Sequence, residues 1–127
     1  ANSKLIVVLG HSKCGAVKGA CDHIEMGNLT ELLSKIQPAV YEEKETTENR
    51  SSKNGEFVEN VAQINVKRSV KNIIERSFVL EQMLENGEIG VVGAMHDIET
   101  GLVTFYDDVK YINDDLNPDF SVKDLKH

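Results

Sequence analysis

The sequence is short of several residue types, and each shortage excludes a class of protein. It has no tryptophan, two prolines and two cysteines, Cys14 and Cys21. Two cysteines are too few for the disulfide framework of a small secreted domain, and we therefore expect a cytoplasmic protein. The longest aliphatic run, residues 5–9, is too short to cross a bilayer, so we expect no membrane segment in this chain.

Positive charge is also scarce. Lysine and arginine together number 14, against 21 aspartates and glutamates, and the net charge is −7. Nucleic acids and anionic membrane surfaces attract clustered lysine and arginine, so we expect no nucleic-acid partner. The remaining composition, 40% hydrophobic and 28% charged, is typical of one small soluble globular domain.

The first half of the sequence has an α/β order of elements. The aliphatic run at residues 5–9 predicts a parallel strand buried on both faces, and residues 15–21 predict a helix of small side chains directly after it. Asn28 is the expected cap of a second helix, which should stop near Pro38. The polar stretch 42–56 has no apolar period and predicts an exposed loop or a weak helix.

The second half continues this order. A helical period runs from residue 57 to residue 74, and Ser77 is the expected cap of a further helix that ends at Asn86 and Gly87. Residues 89–95 predict a buried strand, followed by a tight turn and a strand at 102–106 that pairs with it as a hairpin.

Side chains that can bind a metal or react chemically concentrate at the first strand-to-helix turn, His11-Ser12-Lys13-Cys14-Gly15. A histidine and a cysteine three residues apart can face one metal when the chain turns between them, and zinc accepts both ligand types. Open α/β sheets bind ligands at the carboxyl ends of their strands, and the N–H groups that open the next helix favour an anion. Two other interpretations remain open: a nucleophilic cysteine beside a histidine, and a turn whose histidine and cysteine have no chemical role.

Two segments resemble those of β-class carbonic anhydrases. Residues 5–17, an aliphatic strand running into G-H-x-x-C-G, resemble the second zinc motif of that family, and residues 87–106 resemble its closing strand, turn and strand. The resemblance covers roughly residues 4–106. It implies an α/β fold with a mostly parallel sheet, helices on both faces and a C-terminal hairpin-like strand pair. Residues 1–106 would form this domain, and residues 107–127 an acidic tail.

The resemblance also implies an activity, the zinc-dependent reversible hydration of CO2 to bicarbonate. His11 and Cys14 match two zinc ligands of the family, and Gly15 matches the position whose backbone N–H hydrogen-bonds bicarbonate. Because the family is dimeric or larger, the resemblance implies a homo-oligomer whose small-molecule partners are CO2 and bicarbonate.

One motif of the family has no match in this sequence. The family's other zinc cysteine belongs to a Cys-x-Asp-x-Arg motif ahead of His-x-x-Cys, and only residues 1–4 precede the first strand here. Cys21 stands two helical turns beyond Cys14, roughly 10 Å along the helix axis, and cannot replace it. We therefore expect a truncated sheet and negligible CO2 hydration by this chain alone. The alternative function is a non-enzymatic carbonic-anhydrase-like regulatory or interaction module, such as those fused to anion transporters.

Overall fold

The computed structural model describes residues 3–112, which form three strands and five helices. In chain order these are β1 (Leu5–His11), α1 (Gly15–Cys21), α2 (Asn28–Ser34), α3 (Gln37–Glu42), α4 (Gly55–Arg76), α5 (Phe78–Glu85), β2 (Gly90–His96) and β3 (Val103–Ile112). No helix in this part of the chain is long and apolar enough to cross a membrane.

The three strands form one sheet in the order β1-β2-β3. The Gly90 amide donates to the Lys4 carbonyl, and the Ser12 amide donates to the His96 carbonyl. The partner numbers rise together along the two strands, so β1 and β2 run parallel. A short turn joins β2 to its neighbour β3, where the Asp97 amide donates to the Leu102 carbonyl, so these two strands form the predicted hairpin.

Strand β2 is the buried centre of the sheet. Its first six residues, Gly90–Met95, are all buried. Successive side chains of a strand point to opposite faces, so continuous burial means that both faces of β2 are covered. The α/β fold class and the C-terminal strand pair are thereby confirmed.

Strand β1 differs from its prediction. It was expected to be buried on both faces, but Leu5, Val7 and Leu9 are 49%, 41% and 52% exposed. Ile6 and Val8, on the opposite face, are partly buried against the hydrophobic core. Within the described residues β1 is also an edge strand of the sheet, with β2 as its one neighbour. The aliphatic pattern was read correctly as a strand, but its burial was predicted wrongly.

The described residues divide into two compact units, and the first contains most of the sheet. It is built from the chain up to Leu9, from Val66–Met95 and from Val103 onward. One cluster of its core consists of six buried side chains, Val70, Ile74, Leu84, Ile89, Val91 and Val109. A glycine lets β2 approach α4 closely, since a Cβ at Gly93 would lie 2.9 Å from a methyl of Val66.

The second unit comprises Gly10–Asn65 and His96–Leu102. Its helices α1, α2 and α3 pack against one another. The small residues of α1 permit this packing: Gly19, Ala20 and Cys21 are buried, and a Cβ at Gly19 would lie 3.3 Å from a methyl of Leu33. The turn that carries His11 and Cys14 belongs to this unit.

Some element boundaries differ from the predictions. Asn28 is the first residue of α2, with Gly27 in the cap position. Pro38 does not mark a stop but lies in the first turn of α3, where a missing N–H costs nothing. Strand β3 runs to Ile112 rather than Tyr106, because Val109 and Tyr111 continue to pack on the core. The predicted start of the tail at residue 107 therefore falls inside β3, and residues 113–127 lie outside the described residues.

Candidate functional site

The turn from β1 into α1 brings the two predicted metal ligands to the start of a helix. His11 is the last residue of β1 and is exposed, while Cys14 is the half-buried N-cap residue of α1, with φ −66° and ψ 121°. The sharp bend between them occurs at Lys13, whose φ is 55°. A lysine in the left-handed region is uncommon, and it marks a turn that the surrounding contacts hold in place.

The His11 ring is oriented by its own main chain. Its Nδ1 lies 2.9 Å from the Ser12 carbonyl oxygen. A carbonyl oxygen can only accept, so Nδ1 is the donor in this contact, and in the corresponding neutral tautomer the lone pair of Nε2 is available to a metal. Metal-binding histidines commonly use this arrangement, in which one nitrogen donates to an oxygen and the other faces the metal.

Three contacts fasten the turn to the hairpin that joins β2 and β3. The Ser12 amide donates to the His96 carbonyl at 2.9 Å, and the Ser12 hydroxyl accepts from the Ile98 amide at 3.0 Å. The Lys13 ammonium pairs with the Glu99 carboxylate. Residues 12 and 13, which separate the two candidate ligands, are therefore the residues that position them.

This anchoring role of Ser12 and Lys13 was not predicted from the sequence. A partial signal was present in the hairpin turn, where Asp97 lies three residues before Thr100 and four before Gly101. The Asp97 carboxylate accepts from the Glu99 amide at 2.9 Å, and Gly101 has a φ of 77°. An aspartate that caps its own turn indicates a rigid hairpin end, which is the structure needed to hold a second turn.

Gly15, the predicted bicarbonate contact, is the first residue of α1. The first N–H groups of a helix have no partner inside it, and the Lys18 amide is the one that donates to the Cys14 carbonyl, at 3.0 Å. A Cβ at Gly15 would meet nothing within 4 Å. The backbone at Gly15 is thus open to approach, as a hydrogen bond to a small anion requires.

The donor set is suited to zinc but incomplete. An imidazole nitrogen and a thiol at one turn are ligands that zinc prefers. Within residues 3–112, however, no group of three or more histidine, cysteine, aspartate or glutamate side chains could hold a metal ion together. Cys21 does not contribute, because it is fully buried at the other end of α1 and burial raises the pKa of its thiol to about 11. These residues supply two candidate ligands, His11 and Cys14, and a zinc site would need at least one more.

A second polar cluster surrounds a buried carboxylate and lies away from the turn. Glu43 is 3% exposed, and it accepts hydrogen bonds from the Thr46 amide at 3.0 Å and from Asn60 Nδ2 at 3.3 Å. Arg50 Nη1 lies 3.4 Å from Glu43, and the guanidinium stacks 4.5 Å from the centre of the Phe57 ring. Every member of this cluster has a hydrogen-bond, ion-pair or ring partner within the protein. We therefore interpret the cluster as structural, holding the polar loop before α4 in place.

Comparison with known proteins identifies relatives of this chain. A family profile described as carbonic anhydrase matches residues 1–103. A carbonic anhydrase of Emericella nidulans is 31% identical over 117 residues, which are 92% of this chain and 46% of that protein. The chain spans about half the length of the curated relatives it matches.

Solved structures agree with this assignment. A structure of tetrameric β-carbonic anhydrases from Sordaria macrospora superimposes with a TM-score of 0.67 and 28% identity, covering 82% of this chain and 52% of that one. A Coccomyxa β-carbonic anhydrase in complex with acetazolamide gives a TM-score of 0.74 at 21% identity, covering 97% of this chain and 55% of that one. The second match supports the fold alone.

Proposed function

Because this chain belongs to the β-carbonic anhydrase family, we propose that the protein carrying it catalyses the reversible hydration of CO2 to bicarbonate and a proton. The observation that carries the proposal is the anchored turn. It orients His11 through Nδ1, leaving Nε2 for a metal, and presents Cys14 at the start of α1. A cytoplasmic location, expected from the two cysteines, stays a prediction.

We assign His11 and Cys14 to zinc, and the Gly15 backbone to the product. Bound zinc supplies a Lewis acid that makes water a nucleophile near neutral pH. The residues of this chain then have simple roles. His11 and Cys14 hold the metal, Ser12 and Lys13 keep the turn in shape, and the Gly15 N–H hydrogen-bonds an oxygen of bicarbonate.

Residues 3–112 alone should not sustain the reaction. They contain two of the candidate zinc ligands and no cluster of three. A structural zinc site needs four ligands and a catalytic one needs three from protein. We therefore propose that a further ligand comes from outside these residues, and that the 127-residue chain by itself retains zinc weakly and turns over negligibly.

The test compares this chain with the complete product of its gene. We expect stopped-flow CO2 hydration and one zinc per subunit from the complete protein, and neither from the 127-residue chain. In the complete protein, the Cys14→Ala substitution should abolish both CO2 hydration and zinc binding. Cys21→Ala is the matched control and should keep both, since Cys21 is buried away from the turn. Robust turnover and one tightly held zinc in the short chain would contradict the proposal.

A second candidate is a non-enzymatic module of the same fold. The incomplete donor set within residues 3–112 favours it. The same experiment separates the two, because a complete protein that folds, binds no zinc and hydrates no CO2 would support the module. Partner capture would then replace catalysis as the activity to be sought.

We also propose that the protein is a homo-oligomer. Two features of β1 support this. It is an edge strand of the described sheet, and unpaired strand edges pair readily with other strands. Its residues Leu5, Val7 and Leu9 also form an exposed apolar face, which is typical of an interface. The tetrameric Sordaria macrospora relatives are consistent with the same conclusion.

A further inference from the structure

The hairpin end between β2 and β3, residues 97–102, is hydrogen-bonded along its whole main chain. Every backbone amide in this segment donates a hydrogen bond. All but one of these bonds close within the segment. The exception is the Ile98 amide, which donates to the Ser12 hydroxyl at 3.0 Å. The hairpin end thus directs one main-chain donor at the turn between His11 and Cys14.

One residue, Asp97, takes part in most of the bonds inside the hairpin end. Its carboxylate accepts from the Glu99 amide at 2.9 Å and from the Thr100 amide at 3.3 Å. Its own amide donates to the Leu102 carbonyl, and its carbonyl accepts from the Gly101 amide, both at 2.8 Å. An aspartate that accepts from the amide two residues ahead makes a side-chain version of a backbone turn. The shape of the hairpin end therefore depends on this carboxylate.

The orientation of the Ile98 amide follows from the bonds of Asp97. Asp97 and Glu99 are the two chain neighbours of Ile98, and the Asp97 carboxylate bonds one to the other. Because peptide units are planar, fixing the residues on both sides leaves the Ile98 N–H little freedom to turn. Packing adds little, since the Ile98 side chain is 50% exposed. The Asp97 carboxylate is thus what directs the Ile98 N–H toward Ser12.

The turn on the other side of this bond has a backbone conformation that needs support. Lys13 has a φ of 55°, which a lysine adopts only where its surroundings hold it. Residues 12 and 13 are bonded to the hairpin by the Ser12 contacts to His96 and Ile98 and by the ion pair of Lys13 with Glu99. Both side chains of the ion pair are more than half exposed, and exposed pairs contribute little. The Ser12 bonds are therefore the stronger constraint on the turn.

We infer that Asp97 is a positioning residue for the candidate zinc ligands His11 and Cys14, and that it acts through Ile98 and Ser12. Its hydrogen bonds in the described part of the chain all lie within the hairpin end, so it acts on the ligands at a distance. Groups outside the ligand set that orient the ligands commonly determine metal affinity. The inference rests on the proposed zinc site and adds to it a residue that is distant in sequence.

Zinc affinity of the complete protein, measured by competition with a chromophoric chelator, tests this inference. Asp97→Ala removes the acceptor and should weaken zinc binding about tenfold. Asp97→Asn keeps a side-chain oxygen for the turn and should bind within about twofold of the parent. The matched control is Ser77→Ala, which removes the cap of α5 in the first unit and should also bind within about twofold. Parental affinity in Asp97→Ala, or equal weakening in Ser77→Ala or Asp97→Asn, would overturn the inference.

Amide hydrogen exchange in the complete protein, freed of zinc by chelation, tests the same inference without the metal. Asp97→Ala should speed exchange of the Ile98 and Ser12 amides at least about tenfold, because local opening exposes them. The Val92 amide, in the buried centre of β2, should exchange as in the parent. Unchanged exchange at Ser12 would overturn the inference even if zinc affinity fell. A complete parent protein that binds no zinc would contradict the proposed function instead, and the exchange at Ser12 would then decide the role of Asp97.

Discussion

At the scale of single residues, Glu43 is a buried carboxylate of the second unit that requires polar partners. Its side chain is 1% exposed, and an ionised carboxylate is costly to bury without partners. Thr46, Arg50 and Asn60 provide those partners, while Arg50 also donates to the carbonyl of Val40 at 2.8 Å. Removing the charge would therefore disturb a network rather than a single bond.

The variant Glu43→Gln tests this network. Glutamine has the same shape but lacks the charge, so the hydrogen bonds that Thr46 and Arg50 donate to the carboxylate weaken or lose their acceptor. We expect the free energy of unfolding in urea to fall by about 2 kcal/mol. The control Glu45→Gln removes an exposed charge two residues away and should change it by less than about 0.5 kcal/mol. Equal effects from the two variants would contradict the assigned role.

The same carboxylate predicts a pH dependence. Burial alone would raise the pKa of Glu43, but hydrogen bonds from Thr46 and Asn60, with the charge of Arg50, outweigh it and hold the pKa below its ordinary value. Such a group stabilises the fold above its unfolded pKa of about 4.3, and this contribution is lost as pH falls through the folded pKa. The stability gap between parent and Glu43→Gln should be constant near neutral pH and shrink below about pH 4. A gap that widens in acid would exclude this explanation.

At the scale of elements, the sequence predicted those helix bounds and caps that depend on residues close together in the chain. The bounds of α1 and the cap of α5 were predicted correctly, the latter because the Ser77 hydroxyl accepts from the Leu80 amide at 3.2 Å. The burial of β1 was predicted wrongly, since an aliphatic run indicates a strand but does not indicate which elements cover its faces. The positive φ of Lys13 was not predicted either, and the turn that contains it is bonded to residues 96–99, which are distant in sequence.

The packing of β2 on α4 gives a prediction at this scale. A Cβ at Gly93 would lie 2.9 Å from Val66 Cγ1 and 3.0 Å from Val109 Cγ1. Valine side chains are stiff at χ1 and cannot swing away, so Gly93→Ala should destabilise the fold by about 1–3 kcal/mol in urea unfolding. Gly55→Ala is the control, because its Cβ meets open space and alanine favours a helix. Gly93→Ala with parental stability would contradict this packing.

At the scale of the whole molecule, β1 is the strand through which we propose that the chain associates. Leu5, Val7 and Leu9 are each more than two-fifths exposed, on one face of this edge strand. The sequence predicted a truncated sheet, and in the described residues β1 is one of its edge strands. The sequence could not predict whether the candidate zinc site is complete, because the described residues contain two candidate ligands and no group of three.

Association through this edge strand can be tested with one substitution that introduces a charge. We expect the 127-residue chain to sediment as an oligomer at micromolar concentration, and Val7→Lys to shift it toward monomer, because a lysine on an edge strand opposes pairing. Val79→Lys, on the 65% exposed Val79 of α5, is the matched control and should leave the distribution unchanged. A monodisperse monomer of the parent chain would contradict the proposal.

The bonds between the 12–13 turn and the hairpin have a further consequence for ligand capture. A loop that must become ordered around its ligand loses conformational entropy on binding, about 1–2 kcal/mol per residue fixed. Here the Ser12 and Lys13 contacts have already ordered the segment between His11 and Cys14 during folding. Anything that binds this turn meets a preorganised surface, so its affinity should depend on the integrity of the hairpin as well as on the groups it touches.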